Sequence, residues 1–255
     1  MIVVASPEQA ETMLHAGQLE CPGCAGALRP HGHGRTRTVR GIGSARVTVR
    51  PRRARCPGCA ATHVLLPAGL VLRRADTVEA IGTALTANAR GDGHRTIAAR
   101  LARPVSTVRR WLRRARGSHS EWLHEQGVQH AFHADPDILN RSLAWPTPLG
   151  DALNLLAGAA LTCQRRWDSK HPVWTLVGMF TRGRLLPRPC APENRCLGAP
   201  ARPETAVNVT TVTKSAVTGD DHHVTVPTTP ANLIVNPDDA SSSPNATDNK
   251  GERMT

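Results

Sequence analysis

The sequence predicts an α+β fold: a small β ribbon, a mainly α-helical domain after it, and a disordered C-terminal tail. Three observations predict it. Two identical Cys-Pro-Gly-Cys turns, at residues 21–24 and 56–59, bracket a segment in which polar and apolar residues alternate. From Asp76 onward, apolar residues recur at three- and four-residue spacing instead. Beyond Leu186, prolines and then runs of Val, Thr, Ser, Asn and Asp leave little that can bury a core.

The elements follow in chain order. Residues 1–18 contain a short helix over 7–16, with Ser6 as its N-cap and Pro7 at its first position. Residues 19–70 form the ribbon. Thr36, Thr38 and the run Arg46-Val47-Thr48-Val49-Arg50 carry the period of two that marks a strand pair, with Gly41–Ser44 as its turn. Thr62–Leu66 reads as a further strand, stopped by Pro67. Residues 71–118 are helical. Val78, Ile81, Ala84 and Leu85 share one face, Asp76 or Thr77 caps the start, and Gly91-Asp92-Gly93 ends the helix. Second and third helices run over His94–Leu101 and Pro104–Arg116. A helical extension, 119–186, holds pieces at Ser120–Ala131, Pro148–Arg166 and Pro172–Thr181, and residues 187–255 are the tail.

Composition narrows the function. The 255 residues carry 32 Lys+Arg against 20 Asp+Glu, a formal charge of +12, and there is no tyrosine. The charge is concentrated: residues 20–116 hold 20 arginines against four acids, Glu20, Asp76, Glu79 and Asp92. A concentrated basic surface suits a polyanion, because each neutralised phosphate releases condensed counterions. Met1–Ser6 lacks the basic start of a secretory signal, and Leu149–Leu161 is too short, and too interrupted by Asp151 and Asn154, to span a bilayer. The expectation is a cytoplasmic, nucleoid-associated protein with no membrane partner, in which thiols stay reduced.

The cysteines are the sharpest motif. Cys21, Cys24, Cys56 and Cys59 form two C-x2-C turns separated by 31 residues. Each such turn aims two thiolates at one cation, and two turns complete a closed tetrahedral shell, the geometry of a structural Zn2+ site. The short glycine of each turn is read as letting backbone N–H groups approach the sulfurs. A four-thiolate iron–sulfur cluster stays open as an alternative. His31, His33 and His63 are read as loop or phosphate-contacting residues, and Cys163 as a core residue. Cys190 and Cys196 fall in the tail.

The second motif is a pair of helices around Ala102-Arg103. Ile97, Ala98 and Leu101 face inward from one helix; Val105, Val108, Trp111 and Leu112 do so from the next. Ser106, Thr107, Arg109, Arg110, Arg113, Arg114 and Arg116, with Arg95 on the preceding helix, are then the DNA-contacting set of a helix-turn-helix. Residues early in such a helix reach base edges in the major groove, and later ones grip phosphates. Arg109 and Arg110 are the candidates for guanine; Arg113, Arg114 and Arg116 for backbone.

The Cys-Pro-Gly-Cys ribbon, the strand Thr-His-Val-Leu-Leu-Pro and the run TIAARLARPVSTVRRWLRR together resemble the front end of bacterial insertion-sequence transposases. They are also similar to an actinobacterial family of short, uncharacterised proteins. The resemblance covers residues 19–186 and is most specific over 21–116. It implies that the cysteines bind metal and that Pro104–Arg116 reads terminal repeats in double-stranded DNA. A transposase nuclease needs three acids on a separate α/β domain. Here Glu121, Glu125, Asp135, Asp137, Asp151, Asp168 and Glu193 stand in helical or Pro-rich sequence. The expectation is therefore a sequence-specific DNA-binding protein with structural zinc and no catalytic residues, either transposon-associated or a transcriptional regulator. The alternatives are a truncated or divergent transposase with strand-transfer activity and an RNA- or protein-binding zinc ribbon. A homodimer, and a transposase or integrase as partner, are open.

Overall fold

The structure is a computed structural model that describes residues 1–142 and 144–187. The expected tail lies outside the described residues, except for Pro187, and so do Cys190 and Cys196.

The chain opens with a strand that its three residues are too few to announce, β1 (Ile2–Val4). Helix α1 (Pro7–His15) follows, with the Ser6 hydroxyl accepting from the Gln9 N–H and Pro7 in the first turn, as the sequence predicts. Five strands come next: β2 (Arg29–His33), β3 (Arg37–Arg40), β4 (Arg46–Val49), β5 (Arg52–Arg55) and β6 (Thr62–Pro67). They make two sheets rather than one ribbon. Four strands stand in the order β1-β6-β5-β2, while β3 and β4 pair only with each other. β1 runs parallel to β6, with Ile2 opposite Leu65, so the N-terminal segment is part of the ribbon sheet. Its core is small: Leu19, Leu28, Ala54 and Leu65 pack with Val4, Ala10 and Leu14 contributed by β1 and α1.

The rest is helical. α2 (Val78–Ala89) is capped by Thr77, whose hydroxyl accepts from the Ala80 N–H; Asp76 is engaged elsewhere. α3 (His94–Arg100) and α4 (Val105–Arg114) follow, joined by a turn in which Ala102 takes a left-handed φ of 50°. Pro104 precedes α4 as its cap residue instead of occupying the first helical position. α5 (Ser118–Ala134), the short α6 (Asp137–Arg141), α7 (Pro148–Arg166) and α8 (Val173–Phe180) complete the described residues. α6 has only five residues, too short for a helical period to show in sequence.

One apolar core joins all of these helices, with Ile81, Leu85, Ile97, Val108, Leu123 and Leu156 almost fully buried. Close approach is obtained with glycine. A Cβ at Gly178 would overlap the Ala68 carbonyl, and one at Gly82 would overlap the Trp174 ring. Cys163 is half-buried against this core, consistent with a packing role. The β3–β4 hairpin sits between the two bodies and lays Val39 and Val49 on Leu66 and Leu70.

Candidate metal centre and basic helix face

The two cysteine turns adopt the same local structure. In each, the first cysteine's N–H bonds a carbonyl five residues on, Cys21 to Gly26 and Cys56 to Ala61, both at 2.9 Å. The residue after the second cysteine is an alanine with left-handed φ, 56° at Ala25 and 58° at Ala60. The strain of the turn therefore falls on the alanine and not on the glycine between the cysteines. A Cβ would stand 3.9 Å from the nearest sulfur at Gly23 and 3.8 Å at Gly58, ordinary contact distances. Contrary to the sequence reading, glycine is not sterically required there.

Strand pairing of β2, β5 and β6 brings the turns face to face. The four Sγ atoms of Cys21, Cys24, Cys56 and Cys59 lie within 4.8 Å of one another, a group able to hold a metal ion. Cys21–Cys59 is 3.6 Å and Cys24–Cys56 is 3.4 Å. Four sulfurs about 2.3 Å from a tetrahedral ion stand about 3.8 Å apart, so the donor set fits such an ion closely. Cys21 and Cys56 are buried in the ribbon core, and Cys24 and Cys59 face outward.

The cysteines perturb one another. At Cys24 a backbone hydrogen bond from Gly26 favours the thiolate, yet the neighbouring thiols of Cys56, Cys59 and Cys21 push its pKa up to about 12. Cys56 is brought down to about 7, chiefly by the backbone of Cys59. Four thiolates this close resist joint ionisation, and a divalent cation removes that resistance. His63, on β6, places its Nε2 3.4 Å from the Cys21 sulfur. Burial and then the amino-terminal charge lower its pKa. The sequence reading put His63 with the loop histidines, because spacing along a strand does not reveal which sulfur lies across it. Among the described residues, the cysteines are the one group of three or more His, Cys, Asp or Glu side chains close enough to share an ion. The later acids pair separately: Asp135 with Arg141, Asp151 with His124 and Asp168 with Lys170.

On α4, Val108, Trp111 and Leu112 are buried and Ser106, Arg109, Arg110 and Arg113 are exposed, which is the division its helical period predicts. Arg95 and Arg116 are exposed as well. Three residues depart from that division. Val105, read as apolar core, is 41% exposed at the start of the helix. Thr107 and Arg114 are half-buried. Arg114 and Arg110 lie near enough to Arg74 that their charges, after burial, lower its pKa. No side chain caps the start of α4, and its first turn holds no acid.

What the sequence reading missed is the joint between the two regions. Asp76 is buried and bonds two arginines at 2.8 Å each, Arg40 of β3 through Oδ2 and Arg103 of the α3–α4 turn through Oδ1. Arg103 is itself buried and donates onward to the carbonyls of Gly41, Leu101, Ala102 and Gly43. One signal was available: Asp76 is among only four acids in a segment of 20 arginines.

A family model described as a domain of unknown function (DUF6431) matches residues 21–111. The matched span starts at Cys21 and ends inside α4. No curated protein and no solved structure matches the chain. Among the described residues, no helix is long and apolar enough to cross a membrane.

Proposed function

We propose that this protein binds double-stranded DNA sequence-specifically, reading it with α4, and that its four cysteines hold a structural zinc ion. The observation that carries the reading is the outer face of α4. Ser106, Arg109, Arg110 and Arg113 are exposed over a buried Val108-Trp111-Leu112 stripe, and no acid stands in the first turn. An uncapped helix start of this kind enters the major groove without repelling phosphates. Arg109 serves guanine, and the exposed Val105 offers methyl groups to a thymine methyl. Arg110 and Arg114, gathered with Arg74, suit the phosphate backbone better than base edges. Zinc fits a closed four-sulfur shell with two sulfurs buried in a core too small to hold the sheet unaided. The proposal assigns no catalytic residue, and it suits either a transposon-associated protein or a regulator.

Selection of bound duplexes from a random pool tests this, with metal content measured on the same sample. The expected result is one enriched motif and one zinc per chain. Replacing Arg109 by Ala should relax preference at one position by about 1–3 kcal/mol. Absence of any duplex preference in low salt overturns the DNA reading; iron and sulfide in place of zinc overturn the metal reading.

A further inference from the structure

The β3–β4 hairpin is held more firmly than a connecting loop requires. Two-stranded hairpins are marginal alone in water. This one is fixed at three points. Val39 and Val49 pack on Leu66 and Leu70. The Arg40 N–H bonds the Ala75 carbonyl at 2.8 Å, and the Arg40 carbonyl accepts from the Thr77 N–H at 2.9 Å, so β3 is stitched to the entry of α2. Its tip is held through Arg103, which bonds the carbonyls of Gly41 and Gly43. Arg103 immediately precedes Pro104, so the tip lies beside the end of α4 that the proposed function sends into the groove.

The hairpin also carries an electrostatic cost. In the register of β3 and β4, Arg40 stands directly opposite Arg46. Like charges in that position destabilise a strand pair. Asp76 neutralises Arg40, while Arg46 is exposed on the outer strand with Thr48, and Ser44 is exposed in the adjoining turn; both hydroxyls can donate hydrogen bonds. A phosphate would neutralise the second arginine as Asp76 does the first.

Resting on the duplex-DNA reading, we propose that the β3–β4 hairpin is a second DNA contact that grips phosphates flanking the groove entered by α4. Arg46 is the gripping residue and Arg103 the positioning residue. One phosphate contact contributes about 0.9 to the salt slope, which is about eightfold in affinity at 0.1 M salt relative to 1 M.

The test uses the full metal-loaded chain and its selected duplex, with affinity measured across salt and hydroxyl-radical footprinting. For Arg46→Ala the expected result is about eightfold weaker binding at 0.1 M salt. The slope should be shallower by about 0.9, protection should be lost on one flank, and base preference should not change. Arg103→Met should lose the same flanking protection while α4's protection persists; that readout separates positioning from general destabilisation. Unchanged slope and footprint for Arg46→Ala, alongside altered base preference for Arg109→Ala, overturn the hairpin contact alone. Failure of the unaltered chain to bind any duplex overturns it together with the DNA reading.

Discussion

Replacing Asp76 with alanine withdraws a carboxylate that serves two arginines. The Arg103 and Asp76 side chains are 3% and 4% exposed, so their contact is a buried ion pair, whereas Arg40 is 35% exposed. Removing one partner of a buried pair costs about 3–5 kcal/mol, because the other charge stays in low dielectric without its counterion. Arg103 keeps its bonds to backbone carbonyls, which places the cost near the lower end. Arg40 adds no more than about 1 kcal/mol, since water can replace a partly exposed partner. The expected loss is about 3–4 kcal/mol, or about 10 °C in Tm for a chain of this size. Arg103→Met should cost less, because it removes the charge along with the bonds and leaves Asp76 paired with Arg40. The assay is urea unfolding of the metal-loaded protein, for both single variants and the double variant. The two changes should be strongly non-additive. A loss below about 1 kcal/mol for Asp76→Ala, or additivity within about 0.5 kcal/mol, would refute the claim that a buried ion pair joins hairpin to helices.

Four further predictions are independent of that joint. Cys56→Ser should abolish stoichiometric metal binding and unfold the ribbon sheet while α2–α8 stay helical; circular dichroism and metal analysis on one sample read both, and retained metal would contradict the four-sulfur site. Gly178→Ala forces a methyl against the Ala68 carbonyl and should cost at least about 2 kcal/mol by overpacking. Gly23→Ala, with a nearest sulfur at 3.9 Å, should stay within about 1 kcal/mol of the parent in the same unfolding experiment. His130 stacks on Phe180, and burial holds its pKa down at about 4 from the ordinary 6.5, with only partial compensation from the Phe180 backbone. Between pH 6.5 and about 4 the unfolded chain takes up a proton that the folded chain refuses. Stability must therefore fall as pH drops through that window and level off below it, by up to about 3 kcal/mol. His130→Gln should lose less stability than the parent between pH 7 and pH 5, and equal losses would exclude His130 as the source.

Local chemistry was legible without coordinates. The cysteine spacing, the Ser6 cap, the α7 boundaries from Pro148 to Arg166, and the buried Val108-Trp111-Leu112 stripe all follow from residue type and period, whereas residue type left the α2 cap between Asp76 and Thr77. These are short-range constraints: a C-x2-C turn or a helical face is complete within a few residues of itself. The facts that needed the fold are pairings across long sequence separations. β1 joins β6 some sixty residues away, His63 meets the Cys21 sulfur, and Val105 stands exposed at the start of α4 instead of in the core. Asp76 illustrates the division. Its rarity among arginines marks it as a charge with a partner, but a lone carboxylate has no period and no motif. Which two of the arginines it holds is decided by where β3 and the α3–α4 turn meet, and that depends on every packing contact between them.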